Sequence, residues 1–146
     1  MELSRFTDYS LRALVYVGLH QQTLATTTGI AEAYDISKNH VVKVVHKLAQ
    51  HGFLKTYQGR SGGLELGRDP DQIRVGDVVR VMESMNLVEC FDPEKGDCCI
   101  FGACELKNAL RRAHDAFLAS LDDYTIADLL APSRKLGRIL GVSAKD

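Results

Sequence analysis

No stretch of this sequence approaches the roughly 18 consecutive apolar residues that a membrane span needs, although 45% of its 146 residues are hydrophobic. The opening, Met1-Glu2-Leu3-Ser4-Arg5, is mixed in charge and lacks the apolar core of a signal peptide. These absences set the expectation of a cytoplasmic chain, in a reducing compartment, that makes no contact with a membrane. Internal repeats and low-complexity tracts are also missing. One domain, or one small domain with an appended oligomerisation element, is the natural organisation at this length. No phosphate-cradling glycine loop sits between a strand and a helix, and no triad-like grouping of Ser, His and Asp is evident. The five histidines, His20, His40, His46, His51 and His114, are scattered. The expectation is therefore that the chain is not an enzyme.

A large excess of either charge is lacking too, the formal net charge being -1. That total hides an uneven distribution. Between Asp35 and Arg60 five basic residues (Lys38, Lys43, Lys47, Lys55, Arg60) face one acid, whereas from Arg68 onward eleven basic residues meet fourteen acidic ones. Exposed charges are screened beyond about 8–10 Å at physiological salt, so the local excess is what a phosphate backbone would meet.

Hydrophobic spacing predicts a mainly α fold with one small β-hairpin. Leu11, Leu14, Val15 and Leu19 mark a helix from Thr7 to about Gln22, with Thr7 and Asp8 suited to its cap and first turn. The polar stretch Thr26-Thr27-Thr28-Gly29 leads to a short helix, Ile30 to Tyr34. Ser37 then caps a helix from Lys38 to His51 that stops at Gly52. Two helices joined by so short a turn make a helix-turn-helix. The runs Phe53–Tyr57 and Gly63–Leu66 read as strands flanking Gln58-Gly59-Arg60-Ser61-Gly62, a glycine-bearing hairpin tip placed as a wing. On the second helix, Val41, Val44, Val45 and Leu48 cluster on one side. Asn39, Lys43, His46 and Gln50 lie on the other with Lys47 beside them, residue types that pair with adenine, guanine or phosphate. An arginine on the wing, here Arg60, suits the minor groove.

Beyond residue 67 the expected plan is a linker and helix over 68–86, with Val75 to Met85 helical and Val78, Val79, Val81 and Met82 partly buried. A cysteine-bearing loop covers 87–104, a long helix and a short one cover 105–130, and a loosely ordered tail covers 131–146. Leu106, Ala109, Leu110, Ala113, Phe117, Leu118 and Leu121 form a stripe longer than so small a domain can cover, which marks a C-terminal dimerisation helix. Thr125 suits the cap of the short helix, Ile126 to Leu130, ended near Pro132.

All four cysteines fall between positions 90 and 104. In a reducing compartment such a cluster points to metal or redox chemistry rather than to disulfides. Cys90, Cys98, Cys99 and Cys104 lack the close pair and distant second pair of a zinc ribbon. Three thiolates around a loop containing Pro93, Gly96 and Gly102 suit one compact iron–sulfur cluster, a group that commonly takes four protein ligands. Adjacent Cys98 and Cys99 do not easily both bind it.

Several motifs in order carry a resemblance: Phe6-Thr7-Asp8-Tyr9-Ser10-Leu11-Arg12-Ala13-Leu14, Ser37-Lys38-Asn39-His40, the glycine wing, Ile73-Arg74-Val75-Gly76-Asp77-Val78-Val79-Arg80, Cys90…Cys98-x5-Cys104, and Leu121-Asp122-Asp123-Tyr124-Thr125. Over about Met1 to Leu130 the chain resembles the NsrR group of a bacterial iron–sulfur winged-helix family that also contains IscR and RirA. The resemblance implies a homodimeric repressor of double-stranded operator DNA. Nitric oxide would be its signal, and cluster nitrosylation would release the DNA and derepress nitric oxide detoxification genes. It implies Cys90, Cys98 and Cys104 as ligands to a 4Fe-4S cluster, with 2Fe-2S the alternative, and Asp8 of the partner subunit as a fourth ligand. Asp8 also stands four residues before Arg12, a natural ion pair, and the two together form a candidate switch. The candidate DNA contacts are Ser37, Lys38, Asn39, His40, Lys43, His46, Lys47, Gln50, Gln58 and Arg60. Two departures stand out: Lys107 occupies the place of the IscR histidine, and Gln58 that of an arginine before the first wing glycine in many relatives. The alternatives are a repressor sensing iron or iron–sulfur supply and a zinc-stabilised interaction module.

Overall fold

The computed structural model describes residues 2–92, 94–95 and 98–143. The first helix, α1, runs Arg5–Leu19, earlier at both ends than the spacing predicts. Its cap is Ser4 rather than Thr7: the Ser4 hydroxyl accepts the Thr7 N–H at 3.3 Å, while Thr7 itself is fully buried. Ser4 is anchored in turn, its N–H and hydroxyl both donating to the Glu83 carboxylate at 2.8 and 2.9 Å. Burial pushes the Glu83 carboxyl up, but the hydrogen bonds from Thr7, Ser4 and Ser84 hold it below its ordinary range.

Helix α2 spans Thr27–Tyr34, three residues longer than expected, because Thr26 supplies a cap through the Gly29 N–H at 2.9 Å. It ends at Asp35, which adopts the left-handed conformation (φ 52°) and lets the Ile36 N–H return to the Ala31 carbonyl at 2.9 Å. Ser37 then caps α3, Lys38–Gln50. Strands β1 (Leu54–Tyr57) and β2 (Gly63–Leu66) pair antiparallel, with Leu54 opposite Leu66 and Tyr57 opposite Gly63. Ahead of α2, Ala25 adds a short bridge to Leu64 through two backbone hydrogen bonds of 2.9 and 2.8 Å. The bridge passes close to Gly63, where a Cβ would run into the Ala25 carbonyl and Leu24.

Helix α4, Val75–Met82, stops short of Met85 because Glu83 turns extended. Val78 and Val79 are fully buried and Met82 nearly so, rather than partly, and Val81 is half-buried. Helices α5 (Glu105–Asp122) and α6 (Ile126–Leu129) follow. The expectation of a loosely ordered tail is corrected by a further helix, α7, Ser133–Leu140. Pro132 precedes it and Gly141, left-handed at φ 69°, closes it, while Leu136, Leu140 and Val142 rest on the core. Residues 144–146 lie outside the described residues.

The main core joins Leu14 and Val17 of α1, Ile30, Val41, Val44, Leu48 and Leu64 to Ile73, Val78, Ile126 and Leu130. Burial of α1 against both the helix-turn-helix and α6 explains why it is apolar on more than one side. Gly18 makes the α6 approach feasible, since a Cβ there would lie 2.7 Å from a Leu130 methyl. A second cluster, Val75, Val79 and Leu118, seats α5 on α4. Among the described residues no helix is long and apolar enough to cross a membrane.

Candidate nucleic-acid interface and cysteine site

The buried side of α3 is Val41, Val44, Val45 and Leu48, which locks the helix orientation and turns Asn39, Lys43, His46 and Gln50 outward. Lys38 is exposed at the first turn. The remaining candidates at this helix also make contacts within the protein, Ser37 and His40 being exposed as well. Ser37 spends its hydroxyl on the His40 N–H at 3.4 Å. His40 lies beside the Tyr9 ring of α1, centroids 6.3 Å apart, and the half-buried Lys47 places its ammonium 5.5 Å from the Phe6 ring centroid. These two residues tie α3 to α1 and sit at the margin of the outward face. Val42, which the helical pattern gave no reason to single out, is 48% exposed.

The wing tip is a turn closed by the Gly62 N–H on the Gly59 carbonyl at 3.1 Å. Of its two glycines only Gly59 needs the left-handed region, at φ 100°. Gln58 and Arg60 are both exposed there. Behind the tip the Tyr57 hydroxyl donates to Glu65 at 2.7 Å across the two strands.

Cys90 sits in a 3-10 turn, Glu89–Phe91, and Cys104 directly follows another, Phe101–Ala103. Cys104 caps α5, its sulfur accepting the Lys107 N–H at 3.4 Å. Both turns are held against α5 by cations over aromatic rings: Lys107 stands 3.4 Å from the Phe101 centroid and Arg111 5.6 Å from that of Phe91. Sequence reading missed these contacts, although a phenylalanine within three residues of each of Cys90 and Cys104 was visible. Cys90 and Cys104 are half-buried, Cys98 and Cys99 exposed, and all four are free thiols. Pro93 and Gly96 lie outside the described residues.

Soft thiol donors on turns with no apolar core of their own fit an iron–sulfur group in chemistry. In placement, no three His, Cys, Asp or Glu side chains among the described residues stand together as a metal site. Asp8 is paired within its own helix. Its carboxylate receives Arg12 in two contacts, 3.0 and 2.9 Å. The Arg12 guanidinium lies in addition 5.7 Å from the ring of Tyr34 at the end of α2, where burial pushes the phenol up to about 12.

The segments flanking the cysteine region are sewn together. Arg80 and Asp122 make a two-pronged ion pair, both contacts 2.6 Å, and Arg74 bridges Thr125 in the backbone. The Val75 N–H reaches the Tyr124 carbonyl at 2.9 Å, and the Ile126 N–H returns to that of Ile73 at 2.9 Å. Hydrogen bonds from Arg80 hold the Asp122 carboxyl below its ordinary range. Thus the stretches Ile73–Arg80 and Leu121–Thr125, distant in sequence, are two halves of one joint.

With this architecture in place, the family model Rrf2, described as iron-dependent transcriptional regulator, matches residues 3–132. The chain belongs to the Rrf2 family. It is 44% identical over 142 residues to the HTH-type transcriptional regulator NsrR of Bacillus subtilis (strain 168), covering 96% of this chain and 97% of that one. The NsrR regulator of Bacillus licheniformis is 40% identical over 142 residues, covering 96% of this chain and 99% of that one. Among solved structures, CymR, described as the global cysteine regulator of B. subtilis, superposes with a TM-score of 0.70 at 27% identity, over 88% of this chain and 95% of that one. T. potens IscR has a TM-score of 0.71 at 24% identity, over 91% and 88%, and shows the shared fold. As an Rrf2 member the chain is a DNA-binding transcriptional regulator of winged-helix fold, not an enzyme.

Proposed function

We propose that this Rrf2 chain is a cytoplasmic, homodimeric repressor that binds a pseudo-palindromic operator while it holds an iron–sulfur cluster, and lets go when nitric oxide reaches that cluster. The genes it silences would then serve nitric oxide detoxification. The observation that carries the reading is the 44% identity, over nearly the whole length of both chains, to a regulator named NsrR. The free thiols of Cys90, Cys98 and Cys104 support it as ligands, with Asp8 of the partner subunit as the fourth, and 4Fe-4S stands ahead of 2Fe-2S as the cluster type. When bound, the cluster supplies the iron with which nitric oxide reacts.

The chain's own residues do the rest. Asn39, Lys43, His46 and Gln50 face the major groove with Lys38 at the helix start, while Gln58 and Arg60 reach past it from the wing. Leu106, Ala109 and Ala113 are exposed on α5 and Leu110 and Phe117 half-exposed, a surface that a second copy would cover. Asp8 exchanges partners: it serves the cluster in the repressing state and rests on Arg12, as seen here, once released. Because Arg12 also lies against Tyr34, the exchange reaches the helix-turn-helix directly.

The deciding experiment is an absorbance titration of anaerobically purified protein with nitric oxide, run beside an operator-binding assay. Bleaching of a brown chromophore in step with DNA release is the expected result. A cluster indifferent to nitric oxide would instead favour the second reading, a repressor sensing iron or cluster supply, which the family description as iron-dependent supports. A colourless protein containing zinc would overturn both.

A further inference from the structure

We infer that Val42 is a base-reading residue that recognises the 5-methyl group of a thymine at a fixed position in each operator half-site. The inference rests on α3 lying in the major groove and deepens that reading by naming one base. Val42 is the sole apolar side chain among the exposed residues of α3, at 48% exposure. A single exposed aliphatic group is ordinary on a protein surface. Its location is not. Val42 is three residues after Asn39, next to Lys43 and four before His46, so it shares the outward strip with these exposed polar groups. The other valines of the helix, Val41, Val44 and Val45, are 1%, 0% and 5% exposed, so burial fixes the rotation that presents Val42.

The chemistry then narrows the partner. A valine can neither donate nor accept a hydrogen bond, so it draws nothing from phosphate or from the polar edges of guanine, adenine or cytosine. The thymine methyl is the apolar group that the major groove offers. In a helix the β-branched side chain has one strongly preferred rotamer, so its methyls stand at a defined place and discriminate by position rather than by general greasiness. Polar neighbours set register, and Val42 adds a preference for thymine over cytosine at the step it covers.

The test uses the full-length protein purified anaerobically and duplex DNA that it selects from a randomised pool. Each thymine of the selected duplex is replaced singly by deoxyuridine, which removes the methyl and nothing else. Binding by the wild type is expected to weaken about fourfold for the matching thymine of one half-site, the worth of one buried methyl. Val42→Ala should lose that sensitivity and keep wild-type responses at every other thymine. Val42→Thr, which retains one methyl, should keep part of it. An exposed valine tolerates both changes, so folding does not confound the result. Wild-type binding indifferent to uracil at every position, or an equal loss in Val42→Ala, would overturn the inference while leaving the groove reading intact. Unaltered binding by Asn39→Ala and Lys43→Ala variants would remove the groove reading itself, and the inference with it.

Discussion

A methyl group at position 76 would occupy the place of the Asp122 carboxylate, which lies directly over Gly76 and grips Arg80. Glycine here is a matter of close approach, not of backbone angle. Gly76→Ala is therefore expected to push Asp122 off Arg80 and lower stability by about 1–2 kcal/mol, read as a shifted urea midpoint with unchanged slope. The ion pair also carries a pH signature. Its carboxyl is held down in the folded state, so its stabilisation is complete above the ordinary carboxylate pKa near 4 and fades as pH falls through the lower folded value. Comparing wild type with Arg80→Ala should show a difference of about 1 kcal/mol at neutral pH, modest because both groups are partly exposed, that disappears in acid. At this scale the sequence spoke unevenly. The periodicity of valines in α3 told which polar residues turn outward. It could not tell that His40 and Lys47 lean on Tyr9 and Phe6, because a helical wheel holds no knowledge of the neighbouring helix.

Among the elements, α5 has two duties on different faces. Toward the body it carries Leu118 on the α4 cluster and the cations that pin the cysteine turns; away from it lie Leu106, Ala109 and Ala113. A charge on the outer face should separate the proposed dimer without unfolding the subunit. Leu106→Glu is expected to sediment as a monomer with unchanged helical circular dichroism and to bind operator at least tenfold more weakly. Cys104 likewise joins an observed role as helix cap to the proposed one as ligand, and one substitution separates them. Serine is a good N-cap but a poor ligand for a soft metal. Cys104→Ser should keep the thermal stability of the apoprotein while losing the visible absorbance of the cluster. The long stripe of α5 was legible from its spacing. The 3-10 turns around the cysteines were not, since their shape depends on Phe91 and Phe101 meeting residues of a later helix. Thr26 as a cap, and with it the longer α2, was not legible, because nothing in a run of three threonines ranks one above the others.

For the molecule as a whole, the boundary drawn after residue 67 in sequence does not divide the core. Ile73, Val78, Ile126 and Leu130 are packed in one body with the helix-turn-helix valines. The terminal helix α7 belongs to it as well. A chain ending at Ala131 should lose about 3 kcal/mol, the worth of three half-buried aliphatic side chains, measured by thermal or chemical unfolding. Pro132 and Gly141 were signals of that helix, but its short, strongly basic stretch lacked the length that makes a pattern persuasive.

The seating of Leu130 over Gly18 has a consequence for synthesis. Chains emerge from the ribosome N-terminus first, and packing waits for its last participant. The first helix reaches the open long before the residues that cover it, since Ile126 and Leu130 lie beyond the whole cysteine region. A nascent chain paused before them has α3 and the wing in hand on an unfinished core. The winged-helix half is completed only after the cysteine-bearing segment has been made, so translation order ties the packing of the one to the synthesis of the other.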